Sequence, residues 1–428
     1  MSLHKDLSEL VGANVISGET AQQIADYYKN KQEKSPNRQL LILGILGALL
    51  IGIGVMFIVA NQWDDLPQNI KTVIAFLLLI LPQLLGAYVI LKKQDKIVWR
   101  ECAALLLFFA VGASISLISQ IYHISGETSS FLLTWMMLTV LLIYIFDSSA
   151  VSLAYLIGIM WYGMAVSFDS PGDPGESLYW LLLALPLPHY LKHFKNSPDS
   201  PLLILHHWVI PFVLTMSLFI LFHTAKELLP AAYISMFGVF YLIGNLSCFH
   251  RKSLIFNGFK TFGLGGTVVT LLVMSFKPTW KALYVNHYSF SNLITTPVFI
   301  ANVIFFLLAC VLLFTQKKDK TLKEIRLPEI TFLVFIAIFI LGSFTEMAFI
   351  LVNLLILSLA FLLIRDGSRR MKMGVLNSGL IVIALLTACR SFDIDIKFVV
   401  KGILFVLVGI GFFAANWLML KKKKENES

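Results

Sequence analysis

The chain has 428 residues, of which 57% are apolar and only 14% charged, and its mean hydropathy is +0.80. A soluble domain carries about 45–50% apolar and 25% charged residues, so most of this chain calls for lipid around it, and little is left over for a large soluble catalytic domain. The formal net charge of +9 gathers in loops beside apolar stretches, where membrane topology and anionic headgroups require it, and a nucleic-acid partner is excluded on that ground.

Residues 1–38 read as a cytoplasmic leader, a short amphipathic helical hairpin. Leu3, Leu7, Leu10 and Val11 form one stripe, and Ala21, Ile24, Ala25 and Tyr28 recur at i, i+3, i+4 and i+7. Ser17 stands where a second helix needs its N-terminal cap. The hairpin is too small for a core of its own and is expected to rest on the membrane, the bundle or a protein partner. The first apolar run starts only near Leu40, after this polar leader, so it is read as a retained span rather than a signal peptide.

Apolar spans are then predicted at 39–60, 70–91, 101–121, 131–146, 149–168, 178–191, 204–222, 228–246, 256–276, 297–315, 328–342, 346–364, 374–389 and 398–420. The expected fold is therefore an all-α, polytopic transmembrane helix bundle of about 14 spans over residues 39–420, with a basic tail at 421–428. The segments 178–191 and 328–342 are short for a hydrocarbon core that a helix crosses in about 20 residues, but charge parity requires them. Lys29, Lys34 and Arg38, then Lys92, Lys93 and Arg100, then Lys192 and Lys195, then Arg251 and Lys252, then Lys317 to Arg326, Arg365 to Lys372 and Lys421 to Lys424 share one face, and omitting one short span would put a basic cluster on the wrong side. The expected location is a bacterial cytoplasmic (inner) membrane with both termini inside.

Gly44, Ala48 and Gly52 form a small-xxx-small edge on the first span, and Gly411 with Ala415 forms another on the last; both are expected at close helix contacts. Pro82, Pro186, Pro188 and Pro211 interrupt spans and free backbone groups that need partners in protein or in a cavity. Cys102, Cys248, Cys310 and Cys389 are scattered and read as small apolar packers.

The sharpest constellation is GASISLISQIYHISGE, in which Ser116, Ser119, Gln120, His123 and Glu127 follow Gly112 at helical spacing along one face, provided the helix runs past Ser125 and Gly126. Polar groups are costly in hydrocarbon, so this stripe is expected to border the bundle interior or a polar cavity open to the outer surface. NQWDDLP would bring Asp64 and Asp65 to the same side. A histidine near carboxylates can shuttle protons or hold a divalent ion, but neither H-x-x-x-E nor D-D has the ligand count of a metal site, so no metal, cofactor or catalytic residue is assigned. His206 and His207 read as interfacial anchors, and Glu346 as a turn residue near Arg390.

The leader with NVISGETAQQIADYY, the glycine-rich first span ending in NQWDDLP, and GASISLISQIYHISGE together resemble the bacterial membrane-protein family known as domain of unknown function 2157, over about residues 4–145. The resemblance implies an integral membrane protein with a cytoplasmic helical leader and many spans, and it brings no activity. Two function classes follow from the residues. One is a transporter or flippase-like carrier of a small molecule or lipid, with its polar cavity beside the third span. The other is a non-transporting sensor or assembly module whose leader binds a partner. A membrane enzyme using His123 with Glu127 or Asp64 comes third.

Overall fold

A computed structural model describes residues 7, 10–13, 15–24, 38–61, 67–169, 175–221, 225–246, 249, 256–285, 294–317, 326–342, 344–345, 347–393 and 398–427. Among these residues the chain is helical throughout, with no strand. Among the described residues, ten helices are long and apolar enough to cross a membrane, with shorter apolar helices at Ile42–Gly54, Gly258–Met274 and Leu327–Gly342. The chain divides into two compact units, Met1–Val209 and Ile210–Ser428.

Ahead of the first span, the Ser17 side chain accepts the Thr20 N–H at 3.1 Å and its carbonyl accepts Ala21 N–H, so Ser17 caps the short helix at 18–24. The rest of the first unit comprises α1 (Arg38–Asn61), α2 (Gln68–Lys92), α3 (Ile97–Ile121), α4 (Thr128–Ile145), α5 (Ser149–Asp169), α6 (Gly175–Ala184), α7 (Leu187–Asn196) and the start of α8 (Pro201–Ile220). Its hub is α3, which packs on α1, α2, α4 and α5. The first-span edge is used as expected: a Cβ on Gly44 would stand 2.9 Å from Cys102 Sγ, one on Gly52 would stand 3.2 Å from Phe109, and Ala48 is buried with Leu105 and Ala150. Gly112 clears room for the Trp135 ring, whose Nε1–H donates to the Phe108 carbonyl at 2.9 Å.

The expected span 178–191 is two helices. Pro186 has no N–H for the Leu182 carbonyl, so α6 stops and the chain turns into α7; the freed Leu182 and Leu185 carbonyls accept the hydroxyls of Tyr155 (3.2 Å) and Tyr144. Pro82 and Pro211, in contrast, sit inside continuous helices α2 and α8.

The second unit holds the 3₁₀ turn Lys226–Leu228, then α9 (Leu229–Ile243), α10 (Gly258–Met274), α11 (Lys277–Val285), α12 (Pro297–Lys317), α13 (Leu327–Gly342), α14 (Ala348–Arg369), α15 (Met373–Asp393) and α16 (Phe398–Glu427). Almost every residue of α9 is buried, because α10, α12 and α13 pack around it. The helix α11 falls in a stretch read as loop. It is anchored by Trp280, which is 1% exposed, donates Nε1–H to the Met274 carbonyl at 2.6 Å and occupies the space that Gly342 leaves. Cys310 and Cys389 pack against this unit's apolar core, in keeping with their reading as packers; Cys248 lies outside the described residues. On α16, Ala415 packs with Leu376 and Met419, whereas Gly411 faces open space.

Among the described residues, three helices end in the same kind of turn. After α3, the His123 N–H bonds to Gln120 and the Ile124 N–H reaches Ser119; after α4, Asp147 bonds to Tyr144 and Ser148 to Ile143; after α14, Met371 bonds to Ser368 and Lys372 to Gly367. Each is a Schellman turn, and its left-handed position, normally glycine, is held by His123 (φ 50°), Asp147 (φ 46°) or Met371 (φ 53°).

Gly263 faces the Tyr241 backbone, and a backbone cannot swing aside as a side chain can. Gly263→Ala is therefore expected to destabilise the second unit by about 1–3 kcal/mol, read as a lower thermal midpoint of the detergent-solubilised protein. Gly265→Ala, on the same helix with open space at its Cβ, is the matched control that should leave the midpoint unchanged or raise it.

Candidate functional site

The two ends of α3 carry different chemistry. At its C-terminal end, α2, α3, α4 and the loop 122–127 border a half-open cavity of about 490 Å³, lined by apolar side chains such as Ala75, Leu79 and Ile118 and by Ser114, Ser119, Glu127, Ser130 and Thr134. Of the stripe read from the sequence, Ser119 and Glu127 line this space, while Gln120 and His123 are exposed and Ser116 is half-buried, outside the lining. The physical reason is the Schellman turn: α3 ends at Ile121, so His123 and Glu127 do not continue its face, and Glu127 instead precedes the first turn of α4. Glu127 Oε2 accepts the Ser129 hydroxyl at 3.3 Å, Ser119 Oγ–H donates to the Ile124 carbonyl at 2.9 Å, and Ser114 Oγ–H donates to the Ala75 carbonyl at 3.2 Å. Asp64, Asp65 and Glu346 lie outside the described residues, and Arg390 donates to Ser275 Oγ at 2.9 Å while its guanidinium covers the Phe276 ring.

The N-terminal end of α3 presents a polar cluster of which only the H-x-x-x-H spacing of His189 and His193 is visible locally in the sequence. Glu101 is 2% exposed, yet its carboxylate is fully engaged: Oε2 accepts the Ser148 hydroxyl (2.5 Å) and Ala150 N–H (2.8 Å), and Oε1 accepts Ser149 N–H (3.0 Å). Ser148 in turn accepts Val151 N–H at 3.2 Å. The carboxylate thus closes the N-terminus of α5 from a neighbouring helix, satisfying free amides and meeting the positive end of the helix dipole.

Beside it, the left-handed Asp147 faces α7. Its Oδ2 takes Lys192 Nζ at 2.9 Å, and its Oδ1 lies 3.3 Å from His189 Nδ1 and 3.7 Å from His193 Nε2. The two imidazoles, one helical turn apart, lie 4.5 Å centroid to centroid, and His189 Nε2 is 3.4 Å from Ser149 Oγ. His206, read as an interfacial anchor, is 2% exposed; its Nε2 is 3.0 Å from Ser152 Oγ on α5, and its Nδ1 is 2.8 Å from the Leu202 carbonyl. The helix α7 is not among the ten span-length helices, consistent with its charged and histidine-rich face.

Burial alone would raise the Asp147 carboxyl, but the Lys192 hydrogen bond and charge, with His193 and His189 alongside, outweigh it and hold the group below the usual carboxylate range. Burial pushes the His193 imidazole below its usual range; Asp147 opposes this, and Lys192 and Arg100 add to it. His193 is thereby biased toward its neutral form and Asp147 toward its carboxylate.

Residues 8–152 match the family model described as a predicted membrane protein, DUF2157. The likeness read from the leader, NQWDDLP and GASISLISQIYHISGE stands. The matched third includes the whole cavity lining, Glu101 and Asp147, and stops before α7 with its two histidines. No curated protein and no solved structure matches the chain.

Removing the Glu101 carboxylate leaves two helix-end amides and a hydroxyl unpaired in a dry site. Glu101→Ala is expected to lower stability by about 2–3 kcal/mol, whereas Glu127→Ala, at an exposed position, should stay within about 0.5 kcal/mol of the parent, both measured by thermal unfolding in detergent. The pH dependence has a definite sign. An unfolded chain protonates histidine near pH 6.5, above the folded His193, so this group's contribution is complete above that range and is lost as the medium acidifies through it. Asp147 adds a second loss below the usual carboxylate range. Between about pH 7.5 and pH 5.5 the midpoint should fall, and less steeply in His193→Gln. An equal slope in the variant would count against the assignment.

Proposed function

We propose that this membrane protein is a flippase-like carrier, and that the cavity between α2, α3 and α4 receives a phospholipid with an amine-bearing headgroup. The observation carrying this reading is the cavity itself: about 490 Å³ falls within the ligand-pocket range of about 300–1,000 Å³, and its walls are mostly apolar with hydroxyls and one carboxylate at one end. Among the described residues the lining contains Glu127 and no lysine or arginine, which favours an ammonium over a purely anionic headgroup. Ser119, Ser130 and Thr134 supply hydroxyl oxygens with lone pairs to spare for the remaining polar atoms. In this reading the chain sits in a bacterial inner membrane with both termini cytoplasmic, which rests on the sidedness of Lys and Arg, and the cavity opens toward the outer leaflet.

The test is lipid exchange by the full-length chain in vesicles of phosphatidylethanolamine and phosphatidylglycerol that carry a trace of fluorescent phosphatidylethanolamine, followed by bleaching with dithionite from outside. The protein should make the inner-leaflet probe accessible faster than in protein-free vesicles. Thr134→Trp, which adds an indole at an exposed lining position, should return exchange to the protein-free rate, and Glu127→Gln should weaken the preference for an ethanolamine over a glycerol headgroup. Exchange at the protein-free rate for the parent chain would replace this reading with the non-transporting module.

A further inference from the structure

We propose that Asp147, His189 and His193 form a binding site for a divalent transition-metal ion of the Zn²⁺ class, open at one coordination position. The three residues each offer one ligand atom, and these atoms all lie within 4.8 Å of one another. In a tetrahedral site with bonds of about 2.0–2.2 Å, neighbouring ligand atoms stand about 3.3–3.6 Å apart. Asp147 Oδ1 is 3.3 Å from His189 Nδ1 and 3.7 Å from His193 Nε2, so two of the three edges already have nearly the required length. The third edge, at most 4.8 Å, has to shorten, and that movement falls to the His193 ring, which keeps 21% of its surface exposed, whereas that of His189 is 1% exposed.

The surroundings are those a metal site needs. A ligating histidine is held in its tautomer by a partner on its other nitrogen, and His189 Nε2 has Ser149 Oγ at 3.4 Å. Lys192 Nζ occupies Asp147 Oδ2 at 2.9 Å, leaving Oδ1 to face the two imidazoles. His193 Nε2 is buried and, among the described residues, has no hydrogen-bond partner, which is unusual for a ring nitrogen in a polar cluster. The carboxylate comes from a residue held at φ 46°, a conformation most side chains avoid, and the turn that imposes it aims Asp147 at α7. Two imidazoles and a carboxylate are a borderline donor set that suits Zn²⁺, and with three protein ligands the fourth position falls to water or an incoming ligand.

The site differs from a bare ion pair in a way that Lys192 reveals. If Asp147 exists only to hold Lys192, removing the lysine leaves a lone carboxylate and no metal affinity. If the cluster is a metal site, Lys192 is a neighbouring cation that weakens binding, and removing it tightens the site.

The experiment titrates the purified full-length chain in detergent with Co²⁺, read by the visible d–d absorption of tetrahedral cobalt, and then adds Zn²⁺ in competition. One equivalent of Co²⁺ should bind and be displaced by Zn²⁺. His189→Ala and His193→Ala should each weaken binding by at least about tenfold, and Lys192→Met should strengthen it. Asp147→Asn, which keeps a residue tolerant of the left-handed turn, should abolish the tetrahedral signal while helical circular dichroism and elution volume stay as in the parent. Absence of a cobalt signal in the parent chain overturns the proposal, as does a signal that survives unchanged in a His189→Ala/His193→Ala double variant, since the ion would then be bound elsewhere.

Discussion

In hydrocarbon every amide must find its partner inside the protein, and helix ends are where this demand concentrates, because the first amides and last carbonyls of each helix have no partner within it. The two units answer it in several ways. Glu101 reaches across from α3 to close the start of α5; Asn257 caps α10 with Oδ1 accepting Lys260 N–H at 3.1 Å while its Nδ2–H donates to the Gly244 carbonyl at 2.8 Å; and three Schellman turns close the ends of α3, α4 and α14. Hydroxyls inside helices turn back onto their own backbone, as Thr139 does to Trp135 and Thr267 to Gly263 (both 2.7 Å). The polar residues that hydropathy marks as intrusions are in large part the means by which the apolar helices are allowed to end.

This constraint also explains why the two ends of α3 diverge. At the Glu101 end, a charge is buried against helix-end amides, and the surrounding hydroxyls and imidazoles form one connected polar set from Ser148 and Ser149 to His189 and Asp147. At the other end the hydroxyls of Ser114 and Ser119 are satisfied locally, by Ala75 and Ile124, and this permits an apolar-walled space to persist beside them. A cavity lined by unsatisfied donors would fill with water or collapse; one whose donors are already engaged can keep an apolar interior for a ligand.

Much of the fold was legible in the sequence because its signals are local. The apolar runs, the cap at Ser17 and the packing edge of Gly44, Ala48 and Gly52 each depend on residues a few positions apart, and each appears in the structure. Local signals also misled. Ser116, Ser119, Gln120, His123 and Glu127 keep helical spacing in the sequence, but His123 enters the left-handed region and the stripe breaks there, a choice made by turn geometry that favours glycine statistically and is filled by histidine in this chain. The segment 178–191 reads as one span on charge parity, against its short length, while the missing N–H of Pro186 divides it. The cluster at the other end of α3 stayed hidden for a different reason: it joins a helix start, a helix-to-helix turn and α7, and only the H-x-x-x-H spacing of His189 and His193 was available as a clue, without its carboxylate.

The geometry of Asp147 ties local backbone to long-range chemistry. A Schellman turn ends α4 and, with Ser148 as the cap, starts α5 at once, so the chain reverses with only Phe146, Asp147 and Ser148 between the two helices. So tight a reversal requires a left-handed residue, and glycine would serve it with less strain. Glycine, however, would offer nothing to Lys192, His189 and His193 on α7. Aspartate is among the few other residues that tolerate that conformation, and it supplies a carboxylate at the one point of the turn that faces α7. The same residue thus fixes how α4 hands over to α5 and how α7 is held, which makes the turn between those two helices and the ionisable group around Asp147 a single structural feature.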